Sequence, residues 1–168
     1  ISNTAKKHLG LDEIWWLVAP HNRLKSTFEM ESFDKRLSYA RLLTEKISYI
    51  KVLDLEEKNK LYASYQTVNF LNSKTQKTKF VWLMGSDILD SYNKWLYPAS
   101  IAKRIYVAVI SRPGFASSFV NTQKTRLLGK RLKTSKSKFI FNYNKPIWVF
   151  IKNKLLAISS TELRKINN

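Results

Sequence analysis

Three short stretches carry residue types and spacings suited to phosphate and sugar chemistry. Met84-Gly85-Ser86-Asp87 follows one apolar run, Arg112-Pro113-Gly114 follows another, and Ile158-Ser159-Ser160-Thr161-Glu162-Leu163-Arg164 lies near the C-terminal end. Asp87 falls where a parallel strand should end, at the sheet edge where ligands bind, and Gly85 would let backbone and ligand approach closely. A carboxylate there suits ribose hydroxyls or a metal-bound phosphate, and equally the N-cap of a helix. The hydroxyl-rich turn of Ser159, Ser160 and Thr161 opens a helix, whose free N–H groups and positive dipole end favour a phosphate. Arg164, one turn further in, can fork onto the same anion. The competing reading is a capping box, a hydroxyl paired with nearby Glu162.

Other candidates are weaker alone. Trp95 offers a flat face for stacking on a heteroaromatic base, although a lone Trp is more often core. Arg112 can meet a phosphate or carboxylate, or pair on the surface. His8 reads as a surface residue at a helix end, and His21 lies in a loop after the first strand. No Ser/His/Asp triad and no metal-binding His cluster can be assembled.

These residues need a scaffold, and the apolar pattern supplies one. Runs at Ile14–Ala19, Ile47–Leu53, Phe80–Met84, Ile105–Ile110 and Ile147–Ile151 are near-continuous, as in strands covered on both faces. Helices fit between them. Ser2–Leu9 predicts the tail of one, ended near Gly10. Leu37–Ile47 would put Leu37, Ala40, Leu42, Leu43 and Ile47 on one face, and Tyr62–Leu71 does so with Tyr62, Tyr65, Val68 and Leu71. The alternation predicts a parallel α/β sheet. Within Ser117–Tyr143, a short helix at Thr125–Leu132 and a hairpin-like return at Phe139–Phe141 are expected.

With 168 residues, 44% of them hydrophobic and 13% aromatic, the chain suits one folded domain rather than disorder. Cysteine is absent, which excludes disulfides and thiolate metal sites and fits a reducing cytoplasm. No apolar run approaches the roughly 18 residues of a membrane span, and the N-terminus has no signal-peptide pattern. Lys+Arg 30 against Asp+Glu 12 gives +18, with no acidic residue between Asp90 and Glu162. Lys124, Arg126, Lys130, Arg131, Lys133, Lys136 and Lys138 crowd that interval. The excess reads as a surface for polyanions or as compositional drift in a chain rich in Lys, Asn and Ile. Basic charge also draws in a phosphorylated small substrate.

Taken in order, the motifs resemble bacterial nicotinate-nucleotide adenylyltransferases. The match runs from Leu11-Asp12-Glu13-Ile14-Trp15-Trp16 through Pro20 to Lys25, then Met84–Asp87 with Trp95, then Arg112-Pro113-Gly114, then Ile158–Arg164. The resemblance implies transfer of AMP from ATP to nicotinate mononucleotide, giving deamido-NAD and pyrophosphate, with Mg²⁺. By the same resemblance Gly85, Asp87, Ser159, Ser160, Thr161 and Arg164 would bind ATP. Lys25, Ser64, Thr67, Trp95 and Arg112 would bind nicotinate mononucleotide, with Trp95 stacked on its ring. Family members carry Ser-Tyr-Thr-x-x-Thr-Leu where this chain has Tyr62-Ala63-Ser64-Tyr65-Gln66-Thr67-Val68. Ser64 keeps a hydroxyl, whereas Ala63 replaces the Tyr.

The implied fold is a Rossmann-like, doubly wound parallel sheet of the nucleotidyltransferase type, one domain over residues 1–168. The family's central first strand and its Gly-Ser-Phe-Asp-Pro-x-His-x-Gly-His loop have no counterpart after Ile1, and the family extends beyond the Arg164 region. The expectation is an incomplete domain, active once that strand and loop are supplied. It should show a gap in the sheet, direct pairing of the Ile14–Ala19 and Phe80–Met84 strands, or a strand from another chain, with self-association through unpaired edges. The alternatives are a basic RNA-binding module on a reused nucleotide fold, and an adenylyltransferase with another acceptor.

Overall fold

A computed structural model describes residues 1–20, 31–74, 77–113 and 123–153. Its elements are α1 (Ser2–Leu9), β1 (Ile14–Leu17), α2 (Phe33–Thr44), β2 (Ile50–Leu53), α3 (Leu55–Lys58), α4 (Ser64–Lys74), β3 (Val81–Gly85), α5 (Pro98–Arg104), β4 (Tyr106–Ile110), β5 (Lys130–Leu132) and β6 (Ile147–Ile151). Short 3-10 segments at Ser86–Asp90, Tyr92–Lys94, Gln123–Leu128 and Thr134–Asn142 complete it. Every strand ladder is parallel.

The main sheet has the order β3-β4-β6-β5, with the core on both faces. Side chains alternate across β4 and β6. Val107, Val109, Trp148 and Phe150 join Val68 of α4 and Ile101 of α5 on one side. Ala108, Ile110, Ile147, Val149 and Ile151 meet Ala5 and Leu9 of α1 with Ile140 on the other. All five residues of β6 are buried. That two-sided burial is why its sequence reads as an unbroken apolar run. Gly10 ends α1 at φ 64, a left-handed conformation that glycine adopts at no steric cost.

β1 and β2 form a separate two-stranded sheet. Among the described residues β1 and β3 share no ladder, so the direct pairing of these two strands, one of the three arrangements expected from the sequence, does not form. Trp15 meets Phe80 edge-on at 5.3 Å between ring centroids. Trp15 and Trp16 stay 36% and 41% exposed.

Three local expectations are corrected. The helix expected at Thr125–Leu132 is a 3-10 segment to Leu128, followed by Gly129 at φ 84 and then β5. β5 exists because it pairs with β6, a contact that local pattern does not encode. The return expected at Phe139–Phe141 lies within the Thr134–Asn142 segment and makes no hairpin. On α2, Leu37 and Ala40 are buried as expected, but Leu42 and Leu43 are 68% and 52% exposed. The small β1–β2 sheet covers only part of that helix.

Candidate functional site

β3 and β4 end level with each other, Gly85 opposite Ile110, so the chain leaves both strands at the same sheet edge. Backbone geometry thus puts Ser86-Asp87 and Ser111-Arg112 side by side. The Arg112 amide donates to Ser86 Oγ at 2.9 Å, locking the two exits together. Arg112 Nη1 then donates to Asp87 Oδ2 at 3.0 Å. The other carboxylate oxygen, Asp87 Oδ1, is buried and has no hydrogen-bond partner among the described residues. A buried oxygen without a donor normally marks a place where a ligand, water or ion belongs.

Gly85 closes this crevice from below. A Cβ added there would overlap Asp87 Oδ1 and approach Arg112 Nε to 2.6 Å. Its φ of −75° is ordinary extended backbone, so the requirement for glycine here is space. Gly85 and Asp87, expected from the sequence to bind ATP, and Arg112, expected to bind the mononucleotide, thus come together at one sheet edge. Arg112 serves as Asp87's partner as well as a donor towards the edge. β6 ends beside them, where Asn153 N donates to Ser111 Oγ at 2.7 Å. Ser159, Ser160, Thr161, Arg164 and Lys25 lie outside the described residues.

A second group lies where α4 and α5 begin. Trp95 is partly buried, tilted against Tyr92 at 5.2 Å and edge-on to Trp82 at 6.4 Å. It is thus a core contact with part of its side chain left accessible. Burial raises the Tyr92 hydroxyl well above its usual range, and that hydroxyl donates to Pro98 O at 2.8 Å. Two residues past Trp95, Tyr97 holds the left-handed φ of 52°, which is strained for a tyrosine. Its ring packs edge-on against Tyr65 at 4.9 Å, and Arg104 lies over Tyr65 at 5.5 Å. Ser64 is the first residue of α4, beside Tyr65, so this contact brings the Ser64 and Trp95 segments together.

Thr67 sits differently from the expected ligand contact. It is fully buried, and its hydroxyl donates to Glu56 Oε1 at 2.7 Å, tying α3 to α4. Desolvation raises the Glu56 pKa, partly offset by that hydrogen bond. Sequence reasoning passed over Glu56, Tyr65 and Tyr97. The only available signals were the acid–hydroxyl spacing of Glu56 and Thr67 and the Tyr97-Pro98 pair at a helix start.

Among the described residues no three His, Cys, Asp or Glu side chains gather as a metal cage. Nor is any described helix long and apolar enough to cross a membrane.

The cytidylyltransferase-like family model matches residues 1–166. A probable nicotinate-nucleotide adenylyltransferase of Agrobacterium fabrum is 31% identical over 165 residues, covering 98% of this chain and 88% of the relative. Its counterpart in Brucella suis is 30% identical over 167 residues, covering 99% and 86%. Among solved structures, Plasmodium falciparum nicotinic acid mononucleotide adenylyltransferase complexed with NaAD superposes at a TM-score of 0.65 and 18% identity. That match covers 98% of this chain and 77% of the other, and shows the shared fold. The same enzyme complexed with APC gives 0.64.

Proposed function

The chain belongs to the cytidylyltransferase-like family and, within it, to the nicotinate-nucleotide adenylyltransferases, and from that premise we propose how its crevice handles the two substrates. The reaction moves AMP from ATP to the phosphate of nicotinate mononucleotide, in NAD synthesis. An oxygen of the mononucleotide phosphate forms a bond to the α-phosphorus of ATP. The bond from that phosphorus to the bridging oxygen breaks, and pyrophosphate leaves with the electron pair. No side-chain nucleophile is needed, so catalysis rests on alignment and charge neutralisation.

The observation that carries the reading is the Gly85–Asp87–Arg112 crevice with its one unpartnered carboxylate oxygen. Asp87 Oδ1 accepts a hydrogen bond from the adenosine side, over a glycine that leaves room for it. Arg112, half exposed, turns the N–H groups that it does not give to Asp87 to the mononucleotide's anionic groups. Trp95 offers its ring to the nicotinate, with Ser64 at the mouth of α4. Ser159, Ser160, Thr161 and Arg164 hold ATP phosphates, and Lys25 adds a cation for the acceptor. Thr67 acts from inside by fixing the start of α4. When bound with ATP, Mg²⁺ would supply neutralisation of phosphate charge. Residues 1–168 act as one nucleotidyltransferase domain in the cytoplasm.

Ala63, in place of the family's Tyr, supports a second reading in which the acceptor is a different phosphorylated nucleotide. The test is chromatography of dinucleotide product from ATP with nicotinate or nicotinamide mononucleotide, alongside calorimetric binding of each substrate. Asp87→Asn should weaken ATP binding about tenfold, as loss of one hydrogen bond to a charged group does. Unchanged binding of ATP by Asp87→Asn would remove the assignment of this crevice.

A further inference from the structure

β5 is an edge strand two places from β4, so its outer side is distinct from the Asp87–Arg112 crevice. Lys130, Arg131 and Lys133 on and just after it are exposed, as are Lys136 and Lys138 on the following 3-10 segment. That segment is docked on α1 through Ser137 Oγ, which donates to His8 O at 2.8 Å, and exposed Lys7 extends the basic face. The stretch from Ser91 to Thr161 contains no acid to neutralise it. Two further features distinguish the face from scattered surface lysines. Arg131 lies over the Trp148 and Phe150 rings at 5.5 and 5.7 Å, which orients its guanidinium. An open groove of about 390 Å³ runs along Arg131, Leu132, Lys133 and Thr134, and Phe139 nearby in sequence is 57% exposed.

We infer that this β5-to-Asn142 face binds single-stranded RNA. Exposed lysines spaced along β5 and the segment after it neutralise successive phosphates, and an exposed aromatic ring gives a base a surface to stack on. A membrane surface would need a broader apolar face, and Phe139 is the only large hydrophobic side chain exposed on this segment.

The test is fluorescence anisotropy of a labelled oligouridylate of about 20 nucleotides, titrated with the protein between about 50 and 200 mM salt. Affinity should fall steeply with salt. The triple variant Lys130→Glu, Lys133→Glu, Lys136→Glu should lose binding at least tenfold and flatten the log–log salt slope by about 2, at roughly 0.7 per cation. Phe139→Ala should weaken binding about fivefold or more with the slope unchanged, a readout that general charge does not move. Equal loss on reversing Lys46, Lys51 and Lys74, which lie off this face, would reduce the effect to net charge and overturn the inference. Displacement of the RNA by ATP, or binding to phosphatidylserine vesicles without binding to RNA, would overturn it too. Unchanged circular dichroism spectra and thermal midpoints of the variants keep unfolding out of the comparison.

Discussion

Replacing Gly85 by Ala adds one methyl group at the floor of the crevice. The backbone there has ordinary φ, so the substitution carries no conformational strain. The whole effect comes from overlap with Asp87 Oδ1 and Arg112 Nε. These are side-chain ends, 28% and 50% exposed, and they can swing away at the cost of their ion pair. A pair this exposed contributes no more than about 1 kcal/mol to stability. The melting temperature should therefore drop by only about 2–4 °C. Activity should respond very differently under the proposed role of this crevice, because the methyl displaces the Asp87 oxygen proposed to meet the adenosine. Loss of the one hydrogen bond assigned to Asp87 on the adenosine side costs about 1.5–3 kcal/mol, or at least about tenfold in kcat/KM. The assay is kcat/KM for dinucleotide formation, in the chain extended by the family's first strand and phosphate loop, beside a thermal melt of the same preparation. Calorimetric binding of ATP gives a second readout. A Gly85→Ala protein with near-native stability and kcat/KM within twofold of the parent would refute the placement of substrate here.

Gly129 makes the opposite case. At φ 84 and with Pro146 atoms 2.5–2.8 Å from any added Cβ, Gly129→Ala should lose about 2–4 kcal/mol of stability in a urea melt, combining backbone strain with overpacking. Glu56 has a raised folded pKa, so its contribution to stability is present below the unfolded value of 4.5 and is lost as pH rises through the folded one. Glu56→Gln should abolish that decline while still accepting the Thr67 hydrogen bond. Denaturant melts from about pH 4 to 7 would show it, and a decline undiminished in the variant would contradict the assignment. Trp95→Ala should cost about 3–5 kcal/mol through lost packing against Tyr92 and Trp82. Trp95→Phe should keep most of the stability yet raise KM for the mononucleotide severalfold, and an unchanged KM would leave Trp95 a core residue only.

The continuous apolar runs announced β4 and β6 because strands buried on both faces have no polar side to show. The order of the glycine–aspartate, arginine and serine–threonine stretches likewise announced the family before any geometry was known. β5 gave no such signal. Three residues, two of them cationic, are too few to show a period, and only the β6 edge makes them a strand. Leu42 and Leu43 misled for a related reason. Helical periodicity assigns a face, but the size of the neighbouring sheet decides how much of that face is covered.

The chain by itself determined the types of its longer elements and the family it belongs to, since both depend on local pattern and on the order of short motifs. Tertiary structure alone decided that Asp87 would pair with Arg112 while keeping one oxygen unpartnered. It also sent Thr67 inward to Glu56 and divided the strands into two sheets. These outcomes depend on which distant segments share an edge, because a hydrogen bond or a clash reports proximity in space and carries no local sequence period.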